Sequence, residues 1–290
     1  MIYDPNTRIP MLKYRILINS VPKSGTHLLA QAVAMCGYRE HFELDTTATP
    51  RFLNYREVRE ALEAEGASEP GESTVDVGAL GSWPVPLPCL RRWLAAMPEG
   101  GYLLGHVPWN PLLPELLTGL GYRSLFIMRD PRAVVVSLLA FILNPGTMPQ
   151  RHFLEADLRS LPEAHRLDFL LEGGPAPQAR MTIPPFVEWC RAMTGWHEAQ
   201  ACPCLRYENL VGEAGGGTAE AQRQALEQLA GHLGLQPDQI PLTCGPEIYN
   251  PASRTFRTGN IHGWRQQLDA TQRKRLETAC ADLCGEMGYE

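Results

Sequence analysis

The sequence predicts an α/β fold: a single domain over residues 1–290, with a central parallel β-sheet flanked by helices. Three observations carry this reading. Short apolar, β-branched runs alternate along the chain with longer amphipathic ones. The first run passes into the first helix through a tight turn with glycine at its end. The strand candidates are nearly continuous in apolar character, as strands covered by helices on both faces are.

The elements follow in order. Tyr14 to Ser20 reads as a buried strand. The turn Val21-Pro22-Lys23-Ser24-Gly25 follows, and Thr26 to Cys36 reads as a helix with Leu28, Leu29, Ala32, Val33 and Cys36 on one face, stopped by Gly37. Tyr102 to Gly105 is a second strand, ending at His106, and Arg123 to Met128 is a third. Asp130-Pro131 then opens a helix, with aspartate at the cap and proline in the first turn. Ala201 to Arg206 is a fourth strand, placed at an edge or a bend by Pro203. Helices are expected over Pro185 to Gln200, Ala219 to Leu233 and Thr271 to Met287. Two stretches break the alternation. Gly66 to Leu87 is rich in Gly, Ser and Pro. Residues 144–185 read as an insertion over the sheet's active edge, a lid or acceptor-site segment, with a passive surface excursion as the alternative.

Composition narrows the class. The chain has 290 residues, 44% apolar and 20% charged, with a net charge of −6, so a general nucleic-acid binder with a basic face is not expected. The longest apolar run, Ala133 to Leu143, is too short to span a bilayer, and the N-terminus lacks a basic start and apolar stretch, which predicts a cytoplasmic protein without a membrane partner. The eight cysteines are scattered without zinc-ribbon spacing and read as reduced structural thiols.

The chemistry concentrates at Pro22-Lys23-Ser24-Gly25-Thr26-His27. A loop between a strand end and a helix N-terminus directs backbone N–H groups and the helix dipole at one point. Gly25 admits close approach of an anion, Ser24 and Thr26 add hydroxyls, and Lys23 adds a full charge. The loop suits a phosphate or sulfate. It is not the G-x-x-x-x-G-K-[ST] nucleotide loop, because its lysine precedes the glycine.

At this loop the sequence resembles the PAPS-dependent sulfotransferases of the cytosolic, small-molecule type, whose signature is P-K-S-G-T-T-W/F. The resemblance recurs in order along the chain. Arg129-Asp130-Pro131-Arg132-Ala133 through Ser137 is similar to R-[ND]-P-x-D-x-x-x-S, with Ala133 in place of the acid. Tyr207-Glu208-Asn209-Leu210 is similar to Y-E-D-L. Phe256-Arg257-Thr258-Gly259, followed by Trp264, resembles the closing F-R-K-G-x-x-G-D-W.

The resemblance implies a sulfonate transfer from PAPS (3′-phosphoadenosine 5′-phosphosulfate) to a small-molecule alcohol, phenol or amine, such as a secondary metabolite, with PAP as product and no metal expected. Lys23, Ser24, Gly25, Thr26 and His27 would hold the 5′ end, Lys23 also stabilising the leaving oxygen. Arg129 and Ser137 would bind the 3′-phosphate, Arg257, Thr258 and Gly259 would close over it, and Tyr207 would face the adenine. His106, in a segment resembling H-x-P, would be the general base. Three departures stand out: His27 replaces a threonine and is a rival base, Leu104 stands where a lysine is common, and Thr258 replaces a lysine. A small-metabolite kinase and a non-catalytic nucleotide-binding module are the alternative readings. The acceptor is not legible, although Trp83, Trp109, Phe141, Phe153, Phe169 and Phe186 suit a partly apolar one.

Overall fold

The computed structural model describes residues 12–41, 50–66, 73–144, 151–235, 248 and 260–290. Among them the strands are β1 (Arg15–Ser20), β2 (Arg39–Glu40), β3 (Phe52–Leu53), β4 (Thr74–Val77), β5 (Trp83–Pro86), β6 (Gly101–Gly105), β7 (Tyr122–Met128), β8 (Gly174–Ala176), β9 (Met181–Ile183) and β10 (Cys204–Arg206). The helices are α1 (Thr26–Met35), α2 (Tyr55–Ala64), α3 (Leu87–Ala96), α4 (Leu113–Gly119), α5 (Pro131–Leu143), α6 (Glu155–Ser160), α7 (Glu163–Glu172), α8 (Phe186–Glu198), α9 (Tyr207–Leu210), α10 (Ala219–Leu233) and α11 (Ala270–Glu286).

Six strands form one parallel sheet in the order β10-β7-β1-β6, with β2 and β3 pairing successive halves of the outer edge of β6. Side chains alternate between its faces, as the pleat requires. Ile16, Ile18, Leu104, Leu125 and Ile127 pack with Leu29, Val33, Leu226 and Leu229 of α1 and α10. Leu17, Leu103, Phe126 and Met128 share the other layer with Leu94, Val134, Trp196 and Leu283 of α3, α5, α8 and α11. This is the predicted α/β arrangement: the four expected strands and the expected helices are present within a few residues of their predicted ends. Pro203 precedes β10, the outermost strand beside β7, as its missing N–H predicts.

The described parts of the stretches that broke the alternation are structured. Gly66 to Leu87 contains the antiparallel hairpin β4–β5. Residues 151–185 hold α6, α7 and the hairpin β8–β9, and their Leu154, Leu158, Leu167, Leu170 and Ile183 are buried in the main core. Three- and four-residue strands and helices of six and ten residues give too little periodicity to stand out in sequence. Among the described residues no helix is long and apolar enough to cross a membrane, and the seven described cysteines are free.

Candidate active site

The sheet order explains why residues far apart in sequence meet. In an open parallel sheet, ligands bind beyond the carboxyl ends of the strands. Arg206 is in register with Met128, Ser20 with Ile127, and Asn19 with Gly105. The residues that follow each strand therefore line one edge: Tyr207 after β10, Arg129 after β7, the Lys23 loop after β1 and His106 after β6.

The loop is sharply bent. Lys23 has φ 70° and Gly25 φ 99°, and the Ser24 N–H donates to the Val21 carbonyl at 3.1 Å. A non-glycine residue in this region is held at a conformational cost. α1 starts at Gly25 with no side-chain cap and no acidic residue in its first turn, whereas α2, α5 and α11 are capped by Asn54, Asp130 and Asp269. Its N-terminus thus keeps its partial positive charge unanswered by a side chain. Ser24 is fully buried, and among the described residues its Oγ has no hydrogen-bond partner. A buried hydroxyl without a partner is costly, and beside an uncapped helix start it fits an anionic oxygen.

Gly25 has a second role. A Cβ there would lie 2.6 Å from Cδ2 of Tyr207. Gly25→Ala is expected to lower stability by about 2 kcal/mol, from the left-handed backbone and the displaced ring together, as read by urea denaturation. An unchanged denaturation midpoint would contradict this account of the loop.

Arg129 is 9% exposed and its guanidinium stacks on the Tyr207 ring, 4.2 Å from the centroid. It donates to the carbonyls of Asn260 (3.1 Å) and Lys23 (3.5 Å), and its buried Nε has no partner among the described residues. Arg257, Thr258 and Gly259 lie outside the described residues. Asn260, the next residue, touches Arg129, so the chain returns to the same edge. The Asp130 N–H donates to Glu208 at 2.9 Å, and Tyr289 donates to the other oxygen of Glu208 at 3.0 Å. Asp130 also holds Arg132 in a two-pronged ion pair. The start of α5 is thus tied to α9 and to the C-terminal residues, through a contact that no short motif reveals.

His106 is fixed from several sides. Its Nδ1 donates to the Ser20 carbonyl at 2.9 Å, with the Ser20 hydroxyl 3.3 Å away. Nδ1 therefore carries the proton, and Nε2 has a bare lone pair. The same Ser20 hydroxyl lies 2.6 Å from Oγ1 of Thr26. Asn19 exchanges two 2.8 Å hydrogen bonds with the main chain of Val107, and the Phe52 ring lies tilted against the imidazole, centroids 4.8 Å apart with planes at 52°. Burial, with His27 and Lys23 nearby, lowers the His106 pKa to about 4, so the ring is neutral near pH 7. Asn19 and Ser20 were missed as site residues. Their signal was a polar pair closing an otherwise apolar strand just before the loop.

One cavity of about 800 Å³ joins these groups. Lys23, Gly25, Thr26, His27, His106, Arg129, Ser137 and Tyr207 line it, so the described residues singled out from the sequence converge, with Ser24 buried in the loop itself. His27 stands in its wall, its pKa lowered by the protein packed around it and by Lys23. Of the aromatic residues singled out for the acceptor, Phe141 and Phe153 line the cavity, while Phe186 is fully buried in the core and Trp109 packs against Trp196. Leu104 is core, facing α1 rather than the cavity. His152 and Tyr55 in the wall carried no motif. Among the described residues no group of three His, Cys, Asp or Glu side chains could hold a metal ion.

This edge, with its anion loop and buried arginine, is the architecture of a group-transfer protein that handles phosphate or sulfate esters. The family described as the sulfotransferase domain matches residues 13–169, more than half of the chain, and the chain belongs to that family. No curated protein matches by sequence. Among solved structures the chain is similar to mouse sulfotransferase SULT7A1 complexed with PAP, at TM-score 0.53 and 12% identity, over 94% of this chain and 85% of that one. It is also similar to retinol dehydratase in a complex with retinol and PAP, at TM-score 0.50 and 15% identity, over 95% and 82%. At these identities the likeness is one of fold.

Proposed function

We propose that the protein transfers a sulfonate group from PAPS to a hydroxyl of a small-molecule acceptor, by in-line displacement with His106 as general base and PAP as product. The observation that carries this is the bridge at Ser20. Its carbonyl orients His106 and its hydroxyl holds Thr26 of the anion loop, so base and anion cradle are fixed to one residue. The Ser24 hydroxyl and Arg129 Nε, unpartnered among the described residues, are the buried donors a bisphosphate nucleotide would satisfy.

The acceptor hydroxyl gives its proton to Nε2 of His106 as its oxygen bonds to sulfur. On the opposite side, the bond from sulfur to the bridging phosphate oxygen breaks. Lys23, Ser24 and the N-terminus of α1 stabilise the charge that this oxygen gains with the bonding pair. His106 then releases the proton to solvent. Gly25, Thr26 and His27 complete the 5′ cradle, Arg129 and Ser137 with Arg257, Thr258 and Gly259 take the 3′-phosphate, and Tyr207 faces the base. His106 is favoured over His27 because its ring is held at Nδ1, whereas His27 makes no hydrogen bond among the described residues that would aim it.

Residues 144–185 belong, in this reading, to the same single domain and supply part of the acceptor wall through His152, Phe153, Ala179 and Met181. Buried Asp157 pins the hairpin turn by accepting the N–H groups of Gln178 and Ala179, both at 2.9 Å. Asp157→Ala is expected to lower stability by about 1.5–3 kcal/mol and raise KM for the acceptor several-fold, with Kd for PAP unmoved. An equal loss of PAP affinity would separate this hairpin from the acceptor wall.

The direct test incubates the protein with radiolabelled PAPS and a panel of alcohols, phenols and amines, following label transfer and PAP release. Tight PAP binding with no transfer to any member would favour the non-catalytic module. Phosphate transfer from ATP would favour the kinase.

A further inference from the structure

The cavity wall carries three histidines, and the transfer chemistry uses only His106 and His27, leaving His152 without a role. His152 precedes α6, is half-buried and lines the same cavity as His106. Its ring is stacked on Phe153, centroids 4.4 Å apart with planes at 26°, and meets the edge of Phe141 at 5.9 Å. Phe141 in turn lies under Nζ of Lys23, 4.0 Å from the ring centroid. One aromatic ring thus separates His152 from the lysine of the anion loop.

The two imidazoles are anchored in opposite senses. His106 Nδ1 faces a carbonyl and must donate, which leaves Nε2 as an acceptor. His152 Nδ1 faces the N–H of Leu154 at 3.2 Å and must accept. Burial and the neighbouring Lys23 lower its pKa to about 4, so the ring is neutral near pH 7. A neutral imidazole with a bare Nδ1 carries its proton on Nε2. Among the described residues neither Nε2 has a hydrogen-bond partner. These two imidazoles of the cavity lining therefore offer one accepting and one donating nitrogen.

We propose that His152 is a specificity-determining residue whose Nε2–H binds a second oxygen of the acceptor, so that the preferred acceptors are aromatic hydroxyl compounds that also carry a hydrogen-bond-accepting oxygen such as a ketone, ester or ether. This rests on the sulfonate-transfer reading above. A hydroxyl alone satisfies His106 and leaves the His152 donor unmatched once water is displaced. A compound bearing both groups satisfies both nitrogens, and its ring packs on Tyr55, Phe141 and Phe153.

The test uses PAPS with matched pairs of probes, 3-ethylphenol against 3-hydroxyacetophenone and 4-ethylphenol against 4-hydroxyacetophenone, with the wild-type protein, His152→Phe and His152→Gln. Phe keeps the stack on Phe153 and removes the donor; Gln retains an N–H. The differing acidity of the phenols cancels when the ketone-to-ethyl ratio of kcat/KM is compared between proteins. In at least one pair the wild type is expected to favour the ketone. His152→Phe should reduce that ratio about tenfold, mainly through KM, and His152→Gln should restore part of it. A wild-type ratio showing no preference, or a ratio unchanged in His152→Phe, would overturn the proposal alone. A wild-type protein that neither binds PAP nor transfers to any probe would overturn the sulfonate-transfer reading, and this proposal with it.

Discussion

His106→Asn is expected to lower kcat by about 10²- to 10⁴-fold, the range for loss of a positioned general base, with little change in Kd for PAP. Asparagine is the informative replacement. Its amide N–H can reach the Ser20 carbonyl, where Nδ1 now donates, but nothing replaces the lone pair of Nε2. The main chain keeps its place, because the His106 N–H donates to the Leu53 carbonyl at 2.9 Å and its own carbonyl accepts from Gly78 at 2.8 Å. Loss of turnover with intact folding and nucleotide binding would then report the missing base. Turnover like that of the wild type would remove His106 from the mechanism.

The depressed pKa of this ring carries a further consequence for the same experiment. A base with a pKa near 4 is always unprotonated at pH 7 but is a weak proton acceptor. Part of the depression comes from His27 and Lys23. A bisphosphate nucleotide brings negative charge into the same space, offsets Lys23 and favours the protonated ring. The His106 pKa is therefore expected to rise when PAP binds, read by NMR titration of the imidazole with and without nucleotide. The base becomes stronger when the donor is in place, and an unmoved or lower pKa would contradict this coupling.

How much of this was legible in the sequence follows from the range of the interactions. β1, its loop and α1 were legible because strand, turn and helix signals are local and adjacent. Arg129 and His106 were legible because each closes an apolar run, and a parallel sheet brings such ends to one edge whatever the intervening sequence. Asn19, Ser20 and Glu208 were not read as site residues, because what makes them matter is the partner across the sheet: Val107, His106 and Asp130. The acceptor wall was least legible. His152 lies just before a six-residue helix and Tyr55 opens a ten-residue one, and their roles depend on ring contacts that leave no periodic trace. The expected closing residues Arg257, Thr258 and Gly259 lie outside the described residues.

Arg129→Met is expected to weaken PAP binding by about 1.5–3 kcal/mol, roughly 10- to 150-fold in Kd, the cost of losing hydrogen bonds to a charged group. Methionine keeps a flexible apolar contact with the Tyr207 ring, so packing survives better than with alanine. The guanidinium spends part of its donor set on Asn260 and Lys23, while its buried Nε has no partner among the described residues. That donor is what a phosphate oxygen would satisfy, and the planar fork can donate to two oxygens at once. Comparison with adenosine 5′-monophosphate decides which phosphate it meets. If Arg129 holds the 3′-phosphate, the substitution should cost far less with this ligand, which lacks that group. An equal loss with both ligands would move Arg129 to the 5′ end, beside the Lys23 loop whose carbonyl it already contacts. No loss with either would make it a strut between the loop and Asn260, and a drop in stability without a change in Kd would be its signature.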